Sequence, residues 1–183
     1  MPELALHILD LVQNSVAAGA TSITVTIAYD RAADTLTIVI EDDGRGMSEE
    51  LVKSVASPFV TTRTTRKVGL GIPMFQQLAE MCGGALKISS KPGAGTKLTA
   101  TFRASHVDLP PMGSLGDTIL SLVAACPESP DFRFCYRVDD REFVFDTPDV
   151  RAPLGNLPLS EPEVLEWIGE YVSEGFREVE GSH

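Results

Sequence analysis

The chain has 183 residues, of which 43% are hydrophobic and 22% are charged, so it can bury one core or one core with a small appendage. No apolar run approaches the roughly 20 residues that span a bilayer, and the N-terminus lacks a signal-peptide pattern. We therefore expect a cytoplasmic protein with no membrane partner. The three cysteines form no CxxC motif and are interpreted as free thiols.

The net charge of -11 is concentrated in the C-terminal part of the chain. Residues 1–104 carry ten acidic and ten basic side chains, whereas residues 105–183 carry 16 acids against five arginines. Because an acidic surface is repelled by phosphate backbones, we expect no nucleic-acid partner. The acidic surface is either simply solvated or docks a basic protein partner, and the charge pattern leaves both open.

Hydrophobic periodicity and turn residues divide residues 1–104 into alternating helices and strands. Helical spacing ends at Gly19, after which apolar residues alternate with threonines, as in strands with one buried face. Ser48 followed by two glutamates is typical of a helix start. The predicted elements are a helix over about 3–18, a hairpin over about 23–40, a short helix to about 55, a helix from Gly69-Leu70-Gly71 to Gly83-Gly84, and two strands ending near residue 102.

Residues 105–113 contain two consecutive prolines and a glycine, and we predict that they link a first domain, 1–104, to a second unit. Helical and alternating patterns predict that residues 114–183 form an acidic α-β-β-α unit whose hairpin turns at Asp139-Asp140. A unit of about 70 residues has little core of its own. We therefore expect it to pack on the first domain or on a partner.

The first predicted helix carries polar residues on one face, because His7, Asp10 and Asn14 stand at i, i+3 and i+7. The asparagine oxygen suits Mg²⁺, which is commonly shared with substrate phosphates. A carboxylate one turn earlier can accept a proton from a water or hydroxyl that attacks a terminal phosphate. The alternatives are a helix cap or surface pair for the acid and the asparagine, and an ordinary packed helix residue for the histidine.

A glycine-rich turn follows the second predicted strand. Asp42 comes directly after the last apolar strand residue, and Gly44 and Gly46 let the backbone approach a ligand closely. A carboxylate placed there can accept a hydrogen bond from the exocyclic amine of adenine, whereas guanine presents an oxygen at that position. Taken alone, the motif is also explained as an ordinary Asp-Gly turn.

A second glycine motif, Gly69-Leu70-Gly71, stands where a helix begins. Unpaired amide groups and the positive end of the helix dipole bind phosphate well. The preceding loop contains Arg63 and Lys67 among threonines, so it could close over phosphates as a lid. A solvated basic loop is the alternative.

Taken in order, these motifs resemble the sequence boxes of the GHKL ATPase superfamily, which includes DNA gyrase, heat-shock chaperones, histidine kinases and MutL-type ATPases. The resemblance spans residues 1–104 and implies a Bergerat-type two-layer α/β sandwich, with helices on one face of a mostly antiparallel sheet and ATP between the helices and the lid. The matching boxes are Asp10-x-x-x-Asn14, Asp42-x-Gly44-x-Gly46, Pro58-Phe59 with Thr61-Thr62-Arg63, Gly69-x-Gly71 and Gly95-Thr96.

The resemblance implies ATP and Mg²⁺ as ligands, with Asn14 holding the metal and Asp10 acting in catalysis. ATPases and anti-sigma-type serine kinases of the superfamily carry glutamate at the position of Asp10, and aspartate is one methylene shorter. The residues assigned to ATP binding are Asn14, Asp42, Gly44, Gly46, Met47, Phe59, Thr61, Thr62, Arg63, Lys67, Gly69, Leu70, Gly71 and Thr96.

The resemblance supports two functions and leaves open a third, an interaction protein that has kept ATP as a structural ligand. We expect a slow ATPase or nucleotide-dependent switch that controls a protein partner docked on the lid or on the acidic C-terminal unit. The alternative is a protein kinase that acts in trans on a serine or histidine of a separate partner, because no phosphoacceptor helix pair precedes the domain in this sequence. A homodimer is left open.

Overall fold

A computed structural model describes residues 2–55 and 71–181 of the chain. No helix in these ranges is long and apolar enough to cross a membrane. The three cysteines are free thiols, as predicted. The helices are α1 (Leu4–Ala17), α2 (Glu49–Val55), α3 (Gly71–Met81), α4 (Leu115–Ala125), α5 (Thr147–Arg151) and α6 (Pro162–Glu180), and the strands are β1 (Ser22–Asp30), β2 (Thr35–Asp42), β3 (Ala85–Lys91), β4 (Gly95–Arg103), β5 (Asp131–Val138) and β6 (Arg141–Asp146).

The six strands form one sheet in the order β3-β4-β2-β1-β5-β6. Every neighbouring pair is antiparallel except β1 and β5, which run parallel. One face of the sheet is buried: Ile23, Val25 and Ile27 are at most 1% exposed, whereas the intervening Thr24 and Thr26 are half-buried. The mostly antiparallel sheet with its helical layer confirms the predicted two-layer α/β sandwich.

Helix α1 ends as its sequence predicts. Gly19 adopts a positive φ of 76°, which glycine tolerates without the steric cost of a side chain. The amide of Gly19 donates to the carbonyl of Val16 at 3.0 Å, and the amide of Ala20 donates to that of Ser15 at 3.3 Å. These bonds pair the last carbonyls of the helix and turn the chain into β1.

The C-terminal strands continue the sheet of the N-terminal part. β5 pairs with β1 over its whole length, with Ile23 opposite Phe132 and Val25 opposite Phe134. Both phenylalanines are buried, so this pairing also extends the core. The division of the chain into domains 1–104 and 114–183 stays a prediction, but their strands belong to one sheet.

The predicted linker, 105–113, contacts the start of α1. The first amides of a helix have no partner within the helix, and within the described residues Glu3 makes no side-chain cap bond to them. The linker supplies acceptors instead: Leu4 N donates to the carbonyl of Pro111 at 3.0 Å and Ala5 N to that of Met112 at 2.8 Å. The segment therefore caps α1.

His7 lies buried between α1 and α3. Its ring centroid is 5.7 Å from that of Phe75, and its Nε2 atom has no hydrogen-bond partner among the described residues. Burial lowers the pKa of the imidazole, an effect that the nearby carboxylate of Asp10 opposes. The folded protein therefore favours neutral His7.

Because His7 is buried, we predict that the free energy of unfolding falls as the pH is lowered from about 7.5 to 5.5. The unfolded chain takes up a proton near the ordinary histidine pKa of 6.5, whereas the folded chain resists it, so the free energy of unfolding decreases as pH falls. Urea unfolding should show a shallower pH slope for His7→Leu than for wild type. An unchanged slope in His7→Leu would contradict the prediction.

The packing of α6 on β6 can be tested with two glycines of the same helix. Gly175 is buried, and a Cβ there would overlap the ring of Phe143, whereas a Cβ at Gly169 would meet only Leu120 Cδ1 at 3.4 Å. Both alanine variants gain the same helix propensity, up to about 1 kcal/mol. We expect Gly169→Ala to be neutral or stabilising and Gly175→Ala to lower the free energy of unfolding by about 1–3 kcal/mol. Equal effects in urea unfolding would contradict this packing.

Candidate nucleotide-binding site

A cavity of about 550 Å³ opens beside α1, between the end of β2, α2, α3 and β4. Its size and largely apolar lining are typical of small-molecule sites in proteins. Five of the predicted ligand-binding residues line it: Asn14, Asp42, Gly46, Met47 and Thr96. The structure therefore brings together residues that are up to about eighty positions apart in the sequence.

The carboxylate of Asp42 is fixed at this cavity by two donors. The hydroxyl of Ser15 on α1 donates to Oδ2 at 2.5 Å, and the amide of Gly44 donates to Oδ1 at 2.9 Å. An ionised carboxylate has about four acceptor sites, so each oxygen keeps capacity for a further donor. Asp42 is half-buried, and its free acceptor sites are available to a ligand in the cavity.

The neighbouring Asp43 has a different role. Its carboxylate accepts from the hydroxyl and amide of Thr21 at 2.6 and 2.7 Å and from the amide of Ser22 at 3.0 Å. The Thr21 hydroxyl, followed by the Ser22 amide, holds the pKa of Asp43 below its ordinary value. Asp43 therefore fixes the start of β1 and does not line the cavity.

The two glycines of the turn are required by close contacts. A Cβ on Gly44 would lie 2.9 Å from the carbonyl oxygen and 3.0 Å from the Cβ of Ala18. Gly46 has a positive φ of 71°, and a Cβ there would overlap the carbonyl of Lys91. Gly44 thus lets the turn approach the end of α1, and Gly46 lets it approach the β3–β4 hairpin.

Arg45 connects the turn to both of these elements. Its amide donates to the carbonyl of Ala18 at 2.9 Å, and its Nη2 donates to that of Ala17 at 2.8 Å. A cation at the C-terminal end of a helix is favoured by the helix dipole. The carbonyl of Arg45 in turn accepts from the amide of Gly93 at 2.6 Å, so the turn is bound on both sides.

Ser90 holds the other end of the turn. Its hydroxyl accepts from the amide of Met47 at 2.8 Å and donates to the carbonyl of Gly95 at 2.9 Å. Because the single hydroxyl hydrogen is used there, the Thr96 hydroxyl is the donor in the 2.8 Å contact with Ser90. Thr96 stands opposite Asp42 in the β2–β4 register, so its hydroxyl and the carboxylate lie at the same end of the sheet.

The polar face of α1 meets the start of α3. A Cβ placed on Gly71 would lie 3.7 Å from Asn14 Nδ2 and 3.8 Å from the Cβ of Asp10. Asn14 is half-buried in the cavity wall, whereas Asp10 is exposed and is not part of the lining. The structure thus groups Asp10, Asn14 and Gly71, with Asp10 exposed to solvent.

A metal ion at this site would depend on few protein ligands. Within residues 2–55 and 71–181, no group of three or more His, Cys, Asp or Glu side chains is placed to hold a metal. Mg²⁺ that is shared with substrate phosphates needs only one or two protein oxygens. The amide oxygen of Asn14 is the candidate among the cavity residues.

Part of the predicted site belongs to residues 56–70, which the structure does not describe. These residues lie outside the described residues: Phe59, Thr61, Thr62, Arg63, Lys67, Gly69 and Leu70. Gly44 is among the described residues. Its amide donates a hydrogen bond to Asp42, but Gly44 does not line the cavity. The predicted adenine end of the site is therefore on the described part of the chain, and most of the predicted phosphate end is not.

Sequence reasoning missed several cavity residues. Ser15 is not among the predicted site residues, although a buried serine among aliphatic residues is a recognisable sign of a polar partner. Arg45 is not among them either, because its partners are backbone carbonyls, which leave no sequence pattern. The remaining missed residues form the apolar walls: Leu11, Ala17, Ala18, Ile40, Leu51, Ile72 and Leu98.

Known proteins are similar to about half of the chain. The sensor protein DegM of Bacillus sp. (strain B21-2) is 35% identical over 95 residues, covering 52% of this chain and 25% of that protein. Sporulation kinase C of Bacillus subtilis is 31% identical over 88 residues, and the sensor histidine kinase ZraS of Salmonella typhi is 30% identical over 93 residues. Those matches cover 48% and 50% of this chain and 20% of each relative, so the chain spans a quarter or less of these proteins' length.

The fold also matches a solved structure. The crystal structure of the N-terminal domain of a DNA repair protein superposes with a TM-score of 0.52 and 12% sequence identity, over 79% of this chain and 52% of the other. The match shows a shared fold. A family model described as "Histidine kinase-, DNA gyrase B-, and HSP90-like ATPase" matches residues 2–106, more than half of the chain. The chain therefore belongs to this family, as its motifs indicate, and residues 2–106 are its ATP-binding domain.

Proposed function

We propose that the protein binds Mg-ATP in the cavity beside α1, hydrolyses it slowly, and uses the bound nucleotide to control a protein partner in the cytoplasm. The observation that carries the proposal is the fixed carboxylate of Asp42, which faces an apolar cavity of nucleotide size. A partner would dock on the predicted lid or on the acidic C-terminal unit.

The adenine end of the site is the best defined. The base offers an amine hydrogen that the free acceptor sites of Asp42 can take, and its flat faces need apolar neighbours. Leu51, Ile72 and Leu98 provide apolar walls around the same cavity. A carboxylate already oriented by Ser15 and Gly44 needs no reorganisation to accept the amine, which favours binding.

At the phosphate end, Asn14 would hold Mg²⁺, and the start of α3 at Gly71 would present amides to phosphate. When bound, the ion neutralises phosphate charge during transfer. Asp10 is one turn from Asn14 and exposed, and its carboxylate would take a proton from an attacking water. Its side chain is shorter than the glutamate of related ATPases, which is the reason to expect slow turnover.

The second candidate function is phosphoryl transfer to a separate protein. The relatives DegM, sporulation kinase C and ZraS are named as sensors or kinases, which favours this alternative. In that reaction Asp10 would deprotonate a serine, or a partner histidine would attack unaided; the new bond joins the nucleophile to the γ-phosphorus, and ADP leaves. With γ-labelled ATP, label that appears only as free phosphate with every partner offered would contradict the kinase and support the ATPase.

The two adjacent aspartates give a matched test of ATP binding. Asp42→Asn replaces acceptor oxygens with an amide, so we expect the Kd for Mg-ATP to rise about tenfold or more, the usual cost of losing a charged hydrogen bond. Asp43→Asn should lower stability through β1 but keep the Kd within about threefold of wild type. Calorimetric titration measures both. Wild-type affinity in Asp42→Asn, or equal losses in the two variants, would contradict the proposal.

Chemistry is tested separately at Asp10. We expect Asp10→Asn to lower kcat for ATP hydrolysis by about a hundredfold, because the proton acceptor is removed, while the Kd for ATP changes little. Asp10→Glu should keep or raise kcat. Steady-state phosphate release measures kcat for wild type and both variants, and calorimetry checks that each variant still binds ATP. Turnover that survives Asp10→Asn would show that this carboxylate is not the base.

A further inference from the structure

Two exposed aromatic rings lie on α6 beside β6, the last strand of the sheet. Trp167 is 51% exposed and Tyr171 is 41% exposed, and their rings are stacked with centroids 5.1 Å apart and planes 8° from parallel. Tyr171 also contacts Phe143 edge to face at 5.4 Å. The pair is thus supported from one side and open to solvent on the other, and it lies outside the nucleotide cavity.

A second cavity, of about 370 Å³, adjoins these rings. Apolar side chains and two carboxylates share its walls. We name it the aromatic–acidic surface, formed by Val144, Asp146, Asp149, Leu154, Trp167 and Tyr171. A lipid site would be apolar throughout, and a phosphate site would be basic, so neither ligand matches this lining. A cationic side chain with an apolar stem matches both the apolar side chains and the carboxylates.

The charges around the surface also favour a cation. Asp146 is paired with Arg133 at 3.1 Å, but Asp149 takes part in none of the ion pairs found in residues 2–55 and 71–181. Helix α6 adds six glutamates against one arginine. An anionic ligand such as ATP would be repelled here, and a basic one attracted.

The backbone of β6 offers a means to bind a peptide. β6 is the edge strand and pairs with β5 alone among the described strands, so one row of its backbone groups is without a strand partner. Val144 of this strand lines the cavity, which places the open edge next to the aromatic pair. An extended peptide that adds to an edge strand obtains affinity from main-chain bonds and specificity from side-chain pockets.

We propose that the aromatic–acidic surface docks an extended basic segment of a partner protein, with an arginine or lysine side chain in the cavity. The cation lies against the solvent-exposed side of the stacked Trp167–Tyr171 pair and pairs with Asp149. Arginine is preferred because its planar guanidinium stacks on aromatic rings and binds carboxylates with two donors. The neighbouring residues of the segment are apolar and pair with β6. This site rests on the part of the proposed function in which a partner docks on the acidic C-terminal unit, and peptide binding there can be measured without nucleotide.

The test uses the full chain and a fluorescein-labelled peptide of alternating arginine and valine, with an alternating glutamate and valine peptide as its control. Trp167 is the single tryptophan, so its emission reports directly on the surface. We expect the arginine peptide to change this emission and the glutamate peptide to leave it unchanged. Anisotropy of the label gives an affinity that does not depend on the tryptophan.

Matched variants separate this surface from general acidity. We expect Asp149→Asn and Tyr171→Leu each to weaken arginine-peptide binding about threefold or more at 0.15 M salt, the size of a cation–π or ion-pair contact. The control Glu178→Gln removes an exposed charge of the same helix outside the cavity and should change affinity by less than about 1.5-fold. Because Asp149→Asn changes no packing, it keeps the test valid if Tyr171→Leu fails to fold.

Three results would overturn the proposal. The first is unchanged Trp167 emission with the arginine peptide. The second is an equal loss of affinity in Glu178→Gln and Asp149→Asn, which would mean that the peptide binds any acidic surface. The third is Trp167 emission that changes on dilution without peptide, together with a dimer in sedimentation, because a second copy of the chain would then cover the surface.

Discussion

The site depends on one constraint: the carboxylate of Asp42 must be held at the end of β2 while α1 passes directly beside it. The hydroxyl of Ser15 and the amide of Gly44 meet this requirement from two sides. Gly44 lies so close to Ala18 that a side chain would not fit, and Arg45 binds the last carbonyls of α1. The same contacts that orient the carboxylate therefore fix the position of the helix.

Fixing α1 also positions the rest of the chemistry. Asn14 precedes Ser15 and lines the cavity, and Asp10 lies one helical turn before Asn14, exposed and outside the lining. At the other end of the helix, the amides of Leu4 and Ala5 donate to the carbonyls of Pro111 and Met112. Helix α1 is thus shared: its end contributes to the nucleotide site, and its start is bound by the segment that leads into the C-terminal part. In the switch that we propose, nucleotide and partner would act on this one helix.

The helices and hairpins whose structure depends on neighbouring residues could be predicted from the sequence. Period and cap residues were sufficient for α1, α3, the hairpins and α6, because Gly19 and Ser48 end and start helices through their immediate neighbours. The parallel pairing of β1 with β5 joins residues more than a hundred positions apart and has no local pattern. Helix α5 has five residues, too few for a helical period to appear. Likewise, Ser15 and Arg45 belong to the site through contacts with distant groups, which the motifs alone do not reveal.

The central claim is that a preoriented Asp42 carboxylate selects adenine. The most direct test is calorimetric titration of the wild-type chain with ATP and with GTP at equal Mg²⁺. Guanine presents an oxygen where adenine presents the amine, so a carboxylate already bound by Ser15 and Gly44 would face a second acceptor. The account predicts that ATP binds at least about tenfold more tightly than GTP. Asp42 accepts a charged hydrogen bond from the adenine amine but has no donor to accept from at that position of guanine, and a difference of this kind changes affinity by about this factor. Equal affinity for the two nucleotides would contradict it.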